Sequence, residues 1–117
     1  METAMATLNY IELPVAGVAE AKRFFGEAFG WSFADYGPGY AAHEEAPCQL
    51  GLNGGGDGEA TAAILPVIEV ADLAATRAAV LAAGGTITRD IFAYPGGQRF
   101  HFREPGGLEL AAYRPEH

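Results

Sequence analysis

The sequence holds a single cysteine, Cys48, so no disulfide can form within the chain. That suits a reducing compartment. Basic residues are scarce: seven Lys and Arg stand against fifteen Asp and Glu, a formal net charge of −8. A surface of that sign repels phosphate backbones and anionic headgroups, which argues against nucleic-acid and membrane partners. Long apolar runs are missing as well. The longest, such as 61–67, falls far short of the ~20 residues that cross a bilayer. The opening residues, Met1 to Met5, have neither the basic nor the apolar region of a secretory signal. A cytoplasmic, single-domain protein of 117 residues is the expectation.

What is present is periodic. In 7–15, Ile11, Leu13 and Val15 alternate with Tyr10, Glu12 and Pro14, which predicts a strand. Val18, Ala21, Phe24, Phe25, Ala28 and Phe29 recur at spacings of three and four, which predicts a helix over 18–29 ended by Gly30. Strands are expected at 31–36, 40–45 and 48–53, with a turn at Gly37-Pro38-Gly39. The glycine-rich stretch 54–60 lacks the Lys-Ser/Thr pair of a phosphate loop and reads as a connector. The same order then returns: a strand at 62–70, a helix at 73–83 capped by Asp72, and strands at 86–90, 98–103 and 108–113.

The halves superpose at an offset of 55 residues, where Val15 meets Val70, Val18 meets Leu73, Phe25 meets Val80 and Gly30 meets Gly85. Beyond the helices the offset drifts to 58, where His43 answers His101. The chain therefore reads as two copies of one strand-helix-strand-strand-strand unit, 7–53 and 61–114.

Several segments resemble one superfamily. They are Ile11-Glu12-Leu13-Pro14-Val15, Ala21-Lys22-Arg23-Phe24-Phe25-Gly26, Phe29-Gly30-Trp31, Val70-Ala71-Asp72-Leu73 and the run from Phe100 to Gly107. In that order and spacing they resemble the vicinal oxygen chelate (glyoxalase, bleomycin-resistance protein and dioxygenase) superfamily. The resemblance implies an α+β fold of two tandem βαβββ modules, with curved mixed sheets around a cleft, and commonly a homodimer.

Metal-using members take four ligands from the first and last strands of the two modules. Carried over by resemblance, those positions fall on Tyr10, Gly51, Leu65 and Ala111. Glycine, leucine and alanine side chains cannot ligate, and a phenol is a poor ligand for the usual ions. Glu12, Gln49, Glu69 and Glu109 are the nearest alternatives. With first and last strands parallel, the expected register separates Glu12 from Gln49 by four residues, roughly 13 Å, and Glu69 from Glu109 by six, roughly 20 Å. No metal and no other cofactor is expected.

The cleft face is expected to carry Tyr10, Glu12, Gln49, Leu65, Glu69, His101, Glu109, Ala111 and Tyr113, while Ile11, Leu13, Ile68, Val70, Leu108 and Leu110 face the helices. His43 and His101 are candidate acid-base or hydrogen-bonding groups. Arg99 and Arg103 share His101's face and are expected in local salt bridges. Cys48 is expected as a buried thiol, and Trp31 with the phenylalanines of the first helix as core.

Three functions remain open. The first is metal-independent binding of a small organic molecule in the cleft. The second is a lyase, isomerase or dioxygenase of the resembled superfamily. The third is a dimeric interaction protein without a ligand.

Overall fold

The computed structural model describes residues 6–55, 63–94 and 96–116. The reading of Met1 to Met5, residues 56–60 of the connector and Ala62 of the strand expected at 62–70 lie outside them. Two compact bodies make up the chain, Tyr10–Leu65 and a second formed by Pro66–His117 with the N-terminal residues as far as Asn9.

From Tyr10 onward β1 (Ala6–Pro14) belongs to the first body, its residues Ala6–Asn9 to the second; it runs into α1 (Val18–Phe29), followed by β2 (Ala34–Asp35), β3 (Tyr40–His43) and β4 (Gln49–Asn53). Helix α1 ends where Gly30 turns left-handed at φ 75°, its amide bonded to the Gly26 carbonyl. Only glycine enters that region without steric cost. The sheet order is β2-β3-β4-β1, with β1 and β4 parallel. Helix α1 packs on β3 and β4, and Val18, Ala41 and Leu52 are buried.

The second body repeats the plan: β5 (Leu65–Val70), α2 (Leu73–Ala82), β6 (Thr86–Tyr94), β7 (Gly97–Arg103) and β8 (Glu109–Pro115). Its sheet order is β5-β8-β7-β6, again with first and last strands parallel. Asp72 caps α2 by accepting from the Ala75 amide at 2.9 Å. Val70, Leu73, Phe100 and Ala112 form the core beneath α2, with Ile68, Val80, Ile87, Ile91 and Phe102 against it. Phe100 and Phe102 therefore face the helix and His101 the other side, as alternation requires.

Four expectations are corrected. Cys48 is exposed, because it precedes β4 instead of opening it. Leu108 is 72 % exposed, since it belongs to the turn before β8. Phe24, Phe29 and Trp31 are 56 %, 59 % and 37 % exposed, with Phe29 stacked on Trp31 and edge-to-face with Phe24. Strand β2 has two residues where six were expected, and α1 rests on β3 and β4. Finally, His43 and His101 are not equivalents. Ala42 lies opposite Gly51 and His101 opposite Ala111, so His101 corresponds to Ala42. A slip of one residue reverses the face. His43 sits on the helix side, its ring stacked on Trp31 at 4.8 Å and its Nδ1 donating to the Ser32 carbonyl at 2.9 Å.

Candidate functional site

Helices cover one face of each sheet, and the polar side chains gather on the other. In the first module Tyr10 stands opposite Gln49 and Glu12 opposite Gly51. Glu12 is fully buried. One of its oxygens accepts from the Tyr40 hydroxyl at 3.0 Å, the other from the Asn53 amide at 3.0 Å. Tyr40 and Tyr10 join through their hydroxyls at 2.5 Å. A phenol has one proton, and Tyr40 commits its proton to Glu12, so Tyr10 is the donor in that pair. Asn53 in turn accepts from the Gly55 amide at 2.8 Å. Burial first, then the neighbouring Tyr10 and Glu12, push the Tyr40 phenol far above the ordinary tyrosine range.

In the second body Asn9 bridges two groups. Its amide donates to Glu69 at 2.8 Å, and its carbonyl accepts from the Tyr113 hydroxyl at 3.0 Å. Burial and the nearby Glu69 charge push the Tyr113 phenol up to about 12. One strand over, His101 is buried, with Nδ1 3.6 Å from Glu109. Glu109 also accepts from Thr88 at 2.8 Å. Ala111 pairs with His101 and is fully buried. The Arg99 guanidinium lies over the rings of Phe92 and Tyr94 at 5.6 and 5.4 Å.

Of the expected residues, then, Tyr10 and Glu12 meet in the first module. Glu69 and Tyr113 meet through Asn9 in the second body, and His101 meets Glu109. Gln49 lines up with Tyr10 across the strand pair, and Leu65 opens β5 as a buried residue. Tyr40, Asn53, Asn9 and Phe92 were not anticipated. For Asn53 a signal existed, since it stands two residues beyond Gly51 on the same face. For Asn9 there was none, because alternation groups it with Ile11 and Leu13.

The expected register is two residues off in both modules. Tyr10 lies level with Gln49 and not with Gly51, and Val67 instead of Leu65 lies level with Ala111. Glu12 and Gln49 are thus two positions apart where four were expected. Glu69, opposite Tyr113, is four from Glu109 where six were expected. Alternation fixes which face a residue takes but is blind to a shift of two, which only the crossover and its loops decide.

These residues do not suit a divalent cation. The oxygens of the first module are spent on one another, and Gly51 brings none. A Cβ built on Gly51 would fall 2.4 Å from the Tyr10 hydroxyl oxygen, so the phenols already fill that space. Val67 and Ala111 are hydrocarbon. Among the described residues no three His, Cys, Asp or Glu side chains are grouped to hold an ion. No helix among them is long and apolar enough to cross a membrane.

Solved structures share this architecture. Methylmalonyl-CoA epimerase from Mycobacterium tuberculosis superposes with a TM-score of 0.74 at 13% identity, over 100% of this chain and 93% of that one. NAD-dependent benzaldehyde dehydrogenase from Legionella pneumophila gives 0.77 at 14% identity, over 92% and 99%. A glyoxalase/bleomycin resistance protein/dioxygenase superfamily member from Vibrio splendidus 12B01 gives 0.63 at 14% identity, over 97% and 100%. At such identities the likeness shows the fold alone. No curated protein matches the chain significantly. The family profile of the Glyoxalase/Bleomycin resistance protein/Dioxygenase superfamily matches residues 7–111. With that match over most of its length and two βαβββ modules in its fold, the chain belongs to the Glyoxalase/Bleomycin resistance protein/Dioxygenase superfamily.

Proposed function

We propose that this member of the superfamily binds a small organic molecule without a metal, on the polar faces that its helices leave open. The observation that carries the reading is the Tyr10–Tyr40–Glu12–Asn53 chain. Its internal hydrogen bonds hold a polar surface in a preformed shape, and among the described residues no group of acids, histidines or cysteine is placed to hold a cation. Polar side chains fixed in this way orient a ligand at little entropic cost. The second module adds His101, Glu69, Glu109 and Tyr113 to the same kind of face. In this reading the protein is a cytoplasmic homodimer, and the exposed aromatics of α1 offer apolar surface for pairing.

A second reading, acid-base catalysis of the lyase or isomerase kind, is favoured by His101 beside Glu109, since a carboxylate at Nδ1 orients an imidazole for proton transfer. Elemental analysis of purified protein combined with a thermal-shift ligand screen tests the proposal. Metal-free protein whose melting point rises with a small organic compound is the expected result. A stoichiometric divalent ion required for ligand binding would overturn it, and a metal-free dimer that responds to no compound would leave a pure interaction role.

A further inference from the structure

Asn53 and Gly54 form the one Asn-Gly pair of the sequence. Asparagine is most open to deamidation before glycine, which leaves its own amide nitrogen unhindered and its backbone free to turn. In this fold a separate need holds each residue in place. Asn53 supplies the amide that donates to the fully buried Glu12 carboxylate at 3.0 Å. Gly54 has little room for a side chain: a Cβ would fall 3.0 Å from Val18 Cγ2 and 3.5 Å from the Gly39 carbonyl oxygen.

The surrounding hydrogen bonds keep the pair closed. Deamidation begins when the Gly54 amide nitrogen, having given up its proton to water or hydroxide, attacks Cγ of Asn53. A nitrogen–carbon bond forms, the Cγ–Nδ2 bond breaks and ammonia leaves, giving a five-membered succinimide. Water then opens the ring at either carbonyl and leaves aspartate or isoaspartate. In the folded chain the Gly54 amide donates to the Gly39 carbonyl at 2.8 Å. The Asn53 side chain is held at both ends, Nδ2 on Glu12 and Oδ1 on the Gly55 amide at 2.8 Å. Its backbone carbonyl accepts from the Val15 amide at 2.9 Å, and the residue is 5 % exposed. The nucleophile is tied, its target is held in place, and little water reaches either.

We infer that Asn53-Gly54 is a modification site gated by the Glu12 network, closed in the folded state and deamidated by water when the end of β4 opens locally. Segments open with free energies below that of global unfolding, and a reaction slow against reclosing follows the open population. Aspartate at this position has no amide to give Glu12 and sets a second carboxylate against it. Isoaspartate adds a methylene to the backbone of β4. Either product removes the Asn53 end of the Tyr10–Tyr40–Glu12–Asn53 chain, so the polar surface carries a built-in limit on its lifetime. The inference goes beyond the small-molecule reading and holds whether or not a ligand binds.

Peptide mass spectrometry of the full chain, incubated folded in mildly alkaline buffer and separately in denaturant, tests it. Asn53 is expected to deamidate slower by about tenfold or more in the folded protein. Tyr40→Phe releases one side of Glu12 and is expected to speed the folded-state reaction about tenfold, with Glu12→Ala faster still. In denaturant both variants should match the parent. Asp72→Ala, which weakens α2 in the second body, is expected to leave the folded-state rate unchanged. Asn53→Asp, a copy of one product, should melt below the parent. Folded protein that deamidates as fast as denatured protein, or a folded-state rate unmoved in Tyr40→Phe, would overturn the inference. So would acceleration by Asp72→Ala equal to that by Tyr40→Phe, or an Asn53→Asp variant as stable as the parent. If Glu12→Ala does not fold, Tyr40→Phe decides the point.

Discussion

Gly51 lies beneath Tyr40: a Cβ built on the glycine would come 2.1 Å from the tyrosine's hydroxyl oxygen. The backbone there is ordinary extended strand, so the requirement for glycine is one of space and not of dihedral angle. Gly51→Ala must push both phenols aside and break their link to Glu12. The expected loss of stability is about 1–3 kcal/mol, the usual cost of overpacking. Urea denaturation measures it, and an alanine variant as stable as the parent would contradict the packing described.

Tyr40→Phe removes the donor that satisfies one oxygen of a fully buried carboxylate. Hydrogen bonds to charged groups contribute about 1.5–3 kcal/mol, and a loss in that range is expected by the same measurement. Asn53→Ala acts on the other oxygen. Because both variants touch one network, their effects are expected to be non-additive, and a double variant tests that directly. Strict additivity would mean that the two bonds do not form a network.

Much of this was legible in the sequence because it depends on local rules. The period of α1 and the stop at Gly30 gave the bounds Val18–Phe29, and Asp72 announced the second helix. Alternation placed His101 opposite Phe100 and Phe102. What local rules cannot carry is register. The two-residue shift of Gln49 against Tyr10, the one-residue slip that made His43 look like His101, and the register shifts of β6 between Ile87 and Phe92 are all settled by strand pairing. The hydroxyl of Tyr40 reaches Glu12 only because β3 folds back on β4, a relation that spacing along the chain does not encode.

Asp72→Ala removes the side-chain acceptor at the start of α2. The helix underlies the core of the second module, so fraying there is felt globally. A loss of about 1 kcal/mol is expected, typical of an N-cap deleted to alanine. Thermal melts monitored at 222 nm read it, with Asp72→Ser expected to retain most of the stability.

Cys48 sits at the surface, in the segment before β4, and its Sγ makes a long contact with the Gln49 carbonyl at 3.9 Å. One thiol should therefore react with dithionitrobenzoate in the native protein, without denaturant. Reaction only after unfolding would place the side chain in the interior and contradict this position.

Tyr113 gives a stability change with a defined sign. Burial and the Glu69 charge raise its folded value to about 12, from 10.0 in the free side chain. The neutral phenol is the form the fold favours, so the folded state holds the proton more tightly than the unfolded chain. Its contribution is complete below pH 10, declines as the unfolded tyrosine ionises, and is gone once pH passes the folded value. Between those limits the protein should lose stability with rising pH, and Tyr113→Phe should flatten that part of the curve. Absorbance at 295 nm follows the phenols themselves. Tyr40, also raised, should stay silent while exposed Tyr36 ionises first among these three, although its bond to Glu44 raises it too. A Tyr113 signal that titrates near pH 10 in the folded protein would mean that the Asn9–Glu69–Tyr113 arrangement does not hold in solution.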